Sequence, residues 1–173
     1  MEAEFEFKRE VKDSSIGDVI KYCYTCSKCS DNCPVTAVTT GLYSTTEYNP
    51  RQNILMSLLG YKSKLIEGDD LVLWGCTVCE NCDAVCPQKI ELTEIFTFLK
   101  NQSIALGKGP ENIYSQAKSI FDHAKAIPSQ PAIKKRRKQL GLPEVVAPDV
   151  GEIQTLLKNI GVDKKLKKSK GKK

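Results

Sequence analysis

A chain of 173 residues with 40% hydrophobic and 27% charged residues has the composition of one compact soluble domain with some additional chain, neither collagen-like nor broadly disordered. No stretch approaches the roughly 18 to 20 consecutive apolar residues of a membrane helix, and the opening MEAEFEFKRE lacks the basic-then-apolar order of a secretory signal, so the expected location is the cytoplasm. The formal charge of +5 gathers at the C-terminus, where Lys164, Lys165, Lys167, Lys168, Lys170, Lys172 and Lys173 contribute +7 and leave −2 for the rest, which removes overall basicity as a nucleic-acid signal.

From the N-terminus, residues 4–7 read as a strand stub, and Ser14 or Ser15 as the cap of a short helix through Ile16, Val19 and Ile20. Four cysteines follow: Cys23, Cys26, Cys29 and Cys33, closed by Pro34. Asn49 then suits a helix cap, Pro50 the first helical position and Gly60 the stop, with Ile54, Leu55, Leu58 and Leu59 as an apolar stripe between them. Asp69 or Asp70 opens a helical turn or two that carries Leu71, Leu73 and Trp74 into a second block, Cys76, Cys79, Cys82 and Cys86, closed by Pro87. Thr93 reads as the cap of a helix bearing Ile95, Phe96, Phe98, Leu99 and Leu106, ended by Gly107. Pro110 opens another, with Ile113, Ala117, Ile120, Phe121, Ala124 and Ile127 at helical spacing until Pro128. A short helix over residues 131–140 stops at Gly141, and Ile153, Leu156, Leu157 and Ile160 mark a last one before Gly161. Beyond Val162 the lysine-rich chain reads as disordered. The expected fold is mainly α, since no Val/Ile strand runs flank the cysteines as a βαβ-type ferredoxin would require.

All eight cysteines lie in the two blocks, both of which read C-x2-C-x2-C-x3-C-P, an internal repeat with 42 residues between Cys33 and Cys76. A reducing compartment disfavours structural disulfides, so metal ligation is the leading reading. Three cysteines at two-residue intervals let one loop wrap a corner of an iron-sulfur cube, and in two-cluster arrangements the fourth cysteine of each run ligates the other cluster. Cys23, Cys26, Cys29 and Cys86 are thus expected to hold one [4Fe-4S] cluster, and Cys76, Cys79, Cys82 and Cys33 a second. Zinc also uses C-x2-C pairs, but its sites are usually two separated pairs, not four cysteines crowded into eleven residues twice. Four thiolates on an oxidised core leave each site at about −2, which brings the whole molecule near +1. With every iron corner capped, no open position remains for substrate; electron relay is left, and no catalytic residue is expected. The glycines form no G-x-G-x-x-G, so a flavin or nicotinamide would sit in another polypeptide of a complex.

The segments Cys23-Tyr24-Thr25-Cys26-Ser27-Lys28-Cys29 with Cys33-Pro34-Val35, Asn49-Pro50-Arg51-Gln52, and Trp74-Gly75-Cys76-Thr77-Val78-Cys79 through Cys86-Pro87 resemble the C subunit of heterodisulfide reductase, of the soluble type, within the alpha-helical ferredoxins. The resemblance covers residues 14–106. It implies two [4Fe-4S] loops packed among short helices in a di-cluster domain (14–106); by helical pattern and composition the rest reads as an N-terminal extension (1–13), a helical extension (107–162) and a disordered tail (163–173). It further implies electron transfer from a flavin- and iron-sulfur-bearing A subunit to the catalytic B subunit, which reduces the disulfide of coenzyme M and coenzyme B in methanogenesis. The A subunit would be fed by a hydrogenase or formate dehydrogenase, with flavin-based electron bifurcation. The alternatives are an iron-sulfur subunit of another reductase or dehydrogenase complex, and a zinc-stabilised nucleic-acid module.

Four other features call for a reading. Arg51 stands beside a helix start, where the dipole disfavours a cation; simple exposure is weighed against a carboxylate, a cluster's negative charge or a partner surface. Trp74 either shields a cluster or packs in the core. His123, the only histidine, reads as structural or exposed. Lys134, Lys135, Arg136, Arg137 and Lys138 form a solvated helix face or docking surface, without the aromatic interleaving of a nucleic-acid motif.

Overall fold

A computed structural model describes residues 4–39, 48–67, 70–127, 130–146 and 148–168. The described chain is helical and contains no strand. It divides into two compact units, residues 1–108 and 109–173.

The first unit is built around two helices, α5 (Pro50–Leu59) and α9 (Leu92–Ala105). The chain enters as α1 (Phe5–Asp13), not as the expected strand stub. Phe5, Phe7 and the intervening charges look alternating, but Phe5 is 85% exposed while Phe7 and Val11 are buried, and that i, i+4 pair forms a helical stripe against α5. The amide of Glu4 donates to the carbonyl of Gly60 (2.8 Å). Gly60 has φ 84°, and a Cβ there would lie 2.8 Å from the Glu4 carbonyl oxygen, so only glycine permits this junction.

Next come α2 (Gly17–Ile20), α3 (Lys28–Asp31) and α4 (Pro34–Thr39). Ser14 does not cap α2; its hydroxyl donates back to the Val11 carbonyl at the end of α1. For α5 the expected signals operate: Asn49 Oδ1 accepts from the Gln52 amide (3.1 Å), Pro50 opens the helix and Gly60 ends it. A helix that the sequence pattern did not reveal, α6 (Lys62–Ile66), follows directly. Only five residues long, it is defined by Leu65 and Ile66 reaching the core, and two apolar positions carry no detectable period. Then come α7 (Asp70–Trp74) and α8 (Asn81–Val85); Asp69 lies outside the described residues.

The core joins Phe7, Val11, Ile54, Met56, Leu65, Ile66, Leu73, Ile95, Phe96 and Leu99. Buried polar groups inside it are paired. Asn53 Nδ2 donates to the Val72 carbonyl (2.6 Å), tying α5 to α7, and Ser103 Oγ donates to the Ile66 carbonyl (3.2 Å), tying α9 to α6.

The second unit contains α10 (Glu111–His123), α11 (Pro131–Gln139), α12 (Val150–Asn159) and α13 (Val162–Lys168). The α10 helix stops short of the expected break at Pro128, because Ala124 takes a left-handed conformation with its amide on Ile120. Gln154 Nε2 on α12 donates to the Phe121 carbonyl of α10 (3.1 Å). Residues 163–168, expected as disordered tail, are helical in α13 and pack on α10 and α12.

Candidate metal centre

The two cysteine blocks fold alike. In each, the residue two beyond the first cysteine and the residue after the second cysteine have left-handed backbone: Thr25 (φ 60°) and Ser27 (φ 69°), then Val78 (φ 55°) and Glu80 (φ 62°). This region is poor for L residues and poorest for β-branched ones such as Thr25 and Val78. Such strain costs about 1–3 kcal/mol per residue and persists where the surroundings enforce it. Left-handed turns aim successive amides into a concavity, which favours an anion. Each loop then runs into a short helix carrying its third cysteine, Cys29 on α3 and Cys82 on α8, and the two helices pack together.

The sulfurs gather round two cavities. Cys23, Cys26, Cys29 and Cys86 line the first; Cys33, Cys76, Cys79 and Cys82 line the second. The exchange of the last cysteine follows from the packing of α3 on α8. Cys33 lies just past the end of α3 and Cys86 caps α8, so each helix ends where the other loop's cavity begins. Among the described residues, no three Cys, His, Asp or Glu side chains converge tightly enough to chelate a lone metal ion.

A ring of four thiols about a cavity suits a polynuclear group with one iron corner per sulfur. Backbone amides meet three of these sulfurs: Thr36 on Cys33 (3.5 Å), Val78 on Cys76 (3.4 Å) and Ile90 on Cys86 (3.3 Å). Burial pushes the Cys29 thiol above its ordinary value, and burial followed by the adjacent Asp83 carboxylate pushes Cys82 up. A bound cation reverses that balance, and metal uptake then expels the protons.

Apolar side chains close both cavities, Ile54, Ile90 and Leu92 at the first, Tyr48 and Pro50 at the second. Tyr48 is buried, meets the Phe96 ring edge-on at 6.4 Å, and its carbonyl accepts from Thr36 Oγ1 (2.9 Å). Burial, reinforced by Cys76, pushes its phenol up, so it remains a neutral donor.

Arg51 lines the first cavity, and its buried Nε has no hydrogen-bond partner. Trp74 is half-buried against the core, with Lys100 Nζ 5.4 Å from its ring centroid. That same Nζ donates to the Cys76 carbonyl (2.8 Å), and burial holds the ammonium below its ordinary pKa while Cys76 opposes the shift. Lys100, Tyr48 and Asp83 escape the sequence reading. Lys100 had a signal, since it follows Phe96 by four and so shares the inward face of α9. His123 is exposed at the end of α10. Lys134, Lys135, Arg136 and Lys138 are exposed on α11, which buries no residue, and Arg137 Nη2 donates to the Pro143 carbonyl (2.9 Å).

The 4Fe-4S dicluster domain family matches residues 19–90, a span that contains every one of these cysteines. The chain is also 31% identical over 151 residues to the C2 subunit of the H2/formate:CoB-CoM heterodisulfide,ferredoxin reductase of Methanococcus maripaludis, which covers 83% of this chain and 76% of that protein. The chain belongs to the family of heterodisulfide reductase C subunits.

Other heterodisulfide reductase C subunits match over similar spans. That of the H2:CoB-CoM heterodisulfide,ferredoxin reductase of Methanothermobacter thermautotrophicus is 27% identical over 164 residues, 91% of this chain and 83% of that one. That of the ferredoxin/F420H2-dependent CoB-CoM heterodisulfide reductase of Methanosarcina acetivorans is 30% identical over 148 residues, 82% of this chain and 85% of that one. Membership of the heterodisulfide reductase family makes the chain an electron-transferring iron-sulfur subunit of an oxidoreductase complex. No described helix is long and apolar enough to cross a membrane.

Proposed function

We propose that this chain relays electrons through two [4Fe-4S] clusters, from a flavin-bearing A subunit to the catalytic B subunit that reduces the coenzyme M–coenzyme B heterodisulfide. One observation carries the reading: each cavity is ringed by four cysteine sulfurs, three from one loop and one from the other. Cys23, Cys26, Cys29 and Cys86 are the ligands proposed for the first cluster, and Cys33, Cys76, Cys79 and Cys82 for the second.

A four-iron cluster supplies reversible one-electron storage when bound. The chain's own residues do the remainder. Four cysteines at each cavity would commit every iron corner of a cluster held there and leave no open position for substrate, which makes this chain a non-catalytic member of its complex. Ile54, Ile90 and Leu92 keep water from one side of the first cavity and lower its polarity. The packing of α3 on α8 holds the two ligand sets side by side, a short path for electron tunnelling between them.

The relatives' names cite different electron sources, H2 or formate in one, ferredoxin or F420H2 in another. The upstream donor accordingly belongs to the partner proteins, with a hydrogenase or formate dehydrogenase feeding the A subunit in the case proposed here. The site of action proposed is the cytoplasm. Anaerobic purification tests the reading: the full chain should carry about eight iron and eight sulfide, as two four-iron clusters require, and should co-purify with a flavoprotein and a heterodisulfide-reducing subunit. Stoichiometric zinc without sulfide, or recovery in a quinone-reducing complex, would overturn it.

A further inference from the structure

We propose that Arg51 is a tuning residue for the first cluster, its guanidinium Nε–H donating to a sulfur of the group held by Cys23, Cys26, Cys29 and Cys86. The inference rests on the cluster assignment above and adds a function for a side chain that the assignment leaves unexplained.

Arg51 occupies the first turn of α5, the end of a helix where the dipole repels a cation. It also lines the first cavity among the four sulfurs, and its Nε is buried without a hydrogen-bond partner. A buried donor on a charged group is costly to leave unmade, and among the described residues no carboxylate pairs with it. The wall of this cavity contains no carboxylate either. The wall's oxygen acceptors, on Tyr24, Thr25, Ser27 and Gln88, are neutral; the anions available to the guanidinium are therefore the sulfurs, and four thiolates round a cluster carry the net negative charge that a misplaced cation requires.

The position is built, not incidental. Ser30, the neighbour of Cys29, donates from Oγ to Asn49 Oδ1 (2.7 Å), the same atom that caps α5 at the Gln52 amide (3.1 Å). The Arg51 amide donates to that same Ser30 hydroxyl (3.4 Å). The start of α5 is thus fastened to the residue beside a cluster ligand, and the arginine is held at the cavity it lines.

Reduction adds one negative charge to the cluster. A fixed cation and an N–H···S bond both favour the reduced form, so Arg51 raises the potential of this centre alone. Charge-assisted hydrogen bonds are worth roughly a factor of ten or more, and a tenfold change in the one-electron reduction equilibrium is 59 mV.

The test is an EPR-monitored redox titration of the full chain and of Arg51→Lys, Arg51→Gln and Arg51→Met, with iron and sulfide measured on each. In Arg51→Gln and Arg51→Met one midpoint should fall by about 59 mV, the tenfold change above, while the other stays; Arg51→Lys should recover part of the loss. Unchanged midpoints in fully loaded variants overturn the inference and leave the cluster assignment standing, whereas wild-type protein without four-iron clusters fails the assignment first. Should no variant take up its clusters, wild-type protein labelled with 15N-arginine decides. Arg9, Arg51, Arg136 and Arg137 are its only arginines, and a hyperfine coupling of arginine nitrogen to the reduced cluster is expected. Loaded protein lacking that coupling refutes the contact.

Discussion

The Asp83 carboxylate, on the short helix of the second cysteine block, accepts hydrogen bonds from both the amide (3.1 Å) and the hydroxyl of Thr93 at the start of α9. Glu91, at the position where a cap would stand, makes no side-chain capping hydrogen bond. A residue between two cysteines therefore caps one of the two central helices, and an anion there also complements the helix dipole. Asp83→Ala should destabilise the first unit by about 1–2 kcal/mol, and Asp83→Asn, which retains one carbonyl acceptor, by about half as much. Chemical denaturation of loaded protein measures both; equal stability of Asp83→Ala and wild type would remove the capping role.

The exchanged cysteines make a directional prediction. Cys33 lines the cavity of the second block and Cys86 that of the first. Cys33→Ser should impair the cluster of Cys76, Cys79 and Cys82, and Cys86→Ser that of Cys23, Cys26 and Cys29. Pairing Cys33→Ser with Cys76→Ser should then do little more damage than either change alone, since both strike the same site. Iron counts near half of wild type in the double variant support the crossing; near-complete loss, with each serine striking a different cluster, contradicts it.

Much of this site was legible in the chain itself, for physical reasons that vary by element. The repeated cysteine run points to its chemistry because three ligands at two-residue intervals can wrap one corner of a cube while the fourth serves the other loop's cavity, and Asn49, Pro50 and Gly60 declare α5 because caps and stops have strict backbone needs. Residues 4–7 misled because Phe5 and Phe7 alternate over too few positions to separate a period of two from one of 3.6; burial of Phe7 with Val11 decides it. Thr93 misled because its capping partner, Asp83, arrives from another helix, and no local pattern encodes such a contact. Residues 163–168 misled because lysine-rich composition dominates, whereas α13 still closes as a helix against α10 and α12; residues 169–173 lie outside the described residues.

Gly75, immediately before Cys76, admits no side chain. A Cβ there would stand 2.7 Å from the Leu71 carbonyl oxygen and 3.0 Å from Tyr48 Cδ2. The first is backbone and the second belongs to a buried ring, so neither yields cheaply. Gly75→Ala should cost about 1–3 kcal/mol, as overpacking does, and should lower occupancy of the second cluster before the first. Separate loss of one EPR signal on mild oxidation reads this out.

Val78 is 50% exposed and takes φ 55°, a left-handed conformation that β-branched residues resist. Glycine removes that strain but adds freedom to the unfolded chain. With little side-chain burial to lose, Val78→Gly should leave loaded protein about 1 kcal/mol more stable, near the lower bound of such strain. A loss of stability would mean that the side chain itself, and not the backbone, shapes the loop.

Iron removal should invert the pH response of the first unit. In the metal-free fold, burial raises the Cys29 thiol, and burial with Asp83 raises Cys82. Groups whose folded pKa exceeds the unfolded value stabilise below the unfolded value and lose that contribution as pH rises past it. Metal-free protein should accordingly weaken above about pH 8.5, where an ordinary thiol ionises. Loaded protein has thiolates already committed to iron, so protons compete only at low pH, and it should weaken on acidification instead. Thermal melts of both forms from pH 6 to 10 give the comparison. Parallel curves would mean that Cys29 and Cys82 bind no cation in the loaded state. Since α10 to α13 contribute no residue to either cavity, amide exchange in residues 111–123 and 150–159 should be the same in both forms, while residues 23–36 and 76–91 lose protection when the iron is stripped.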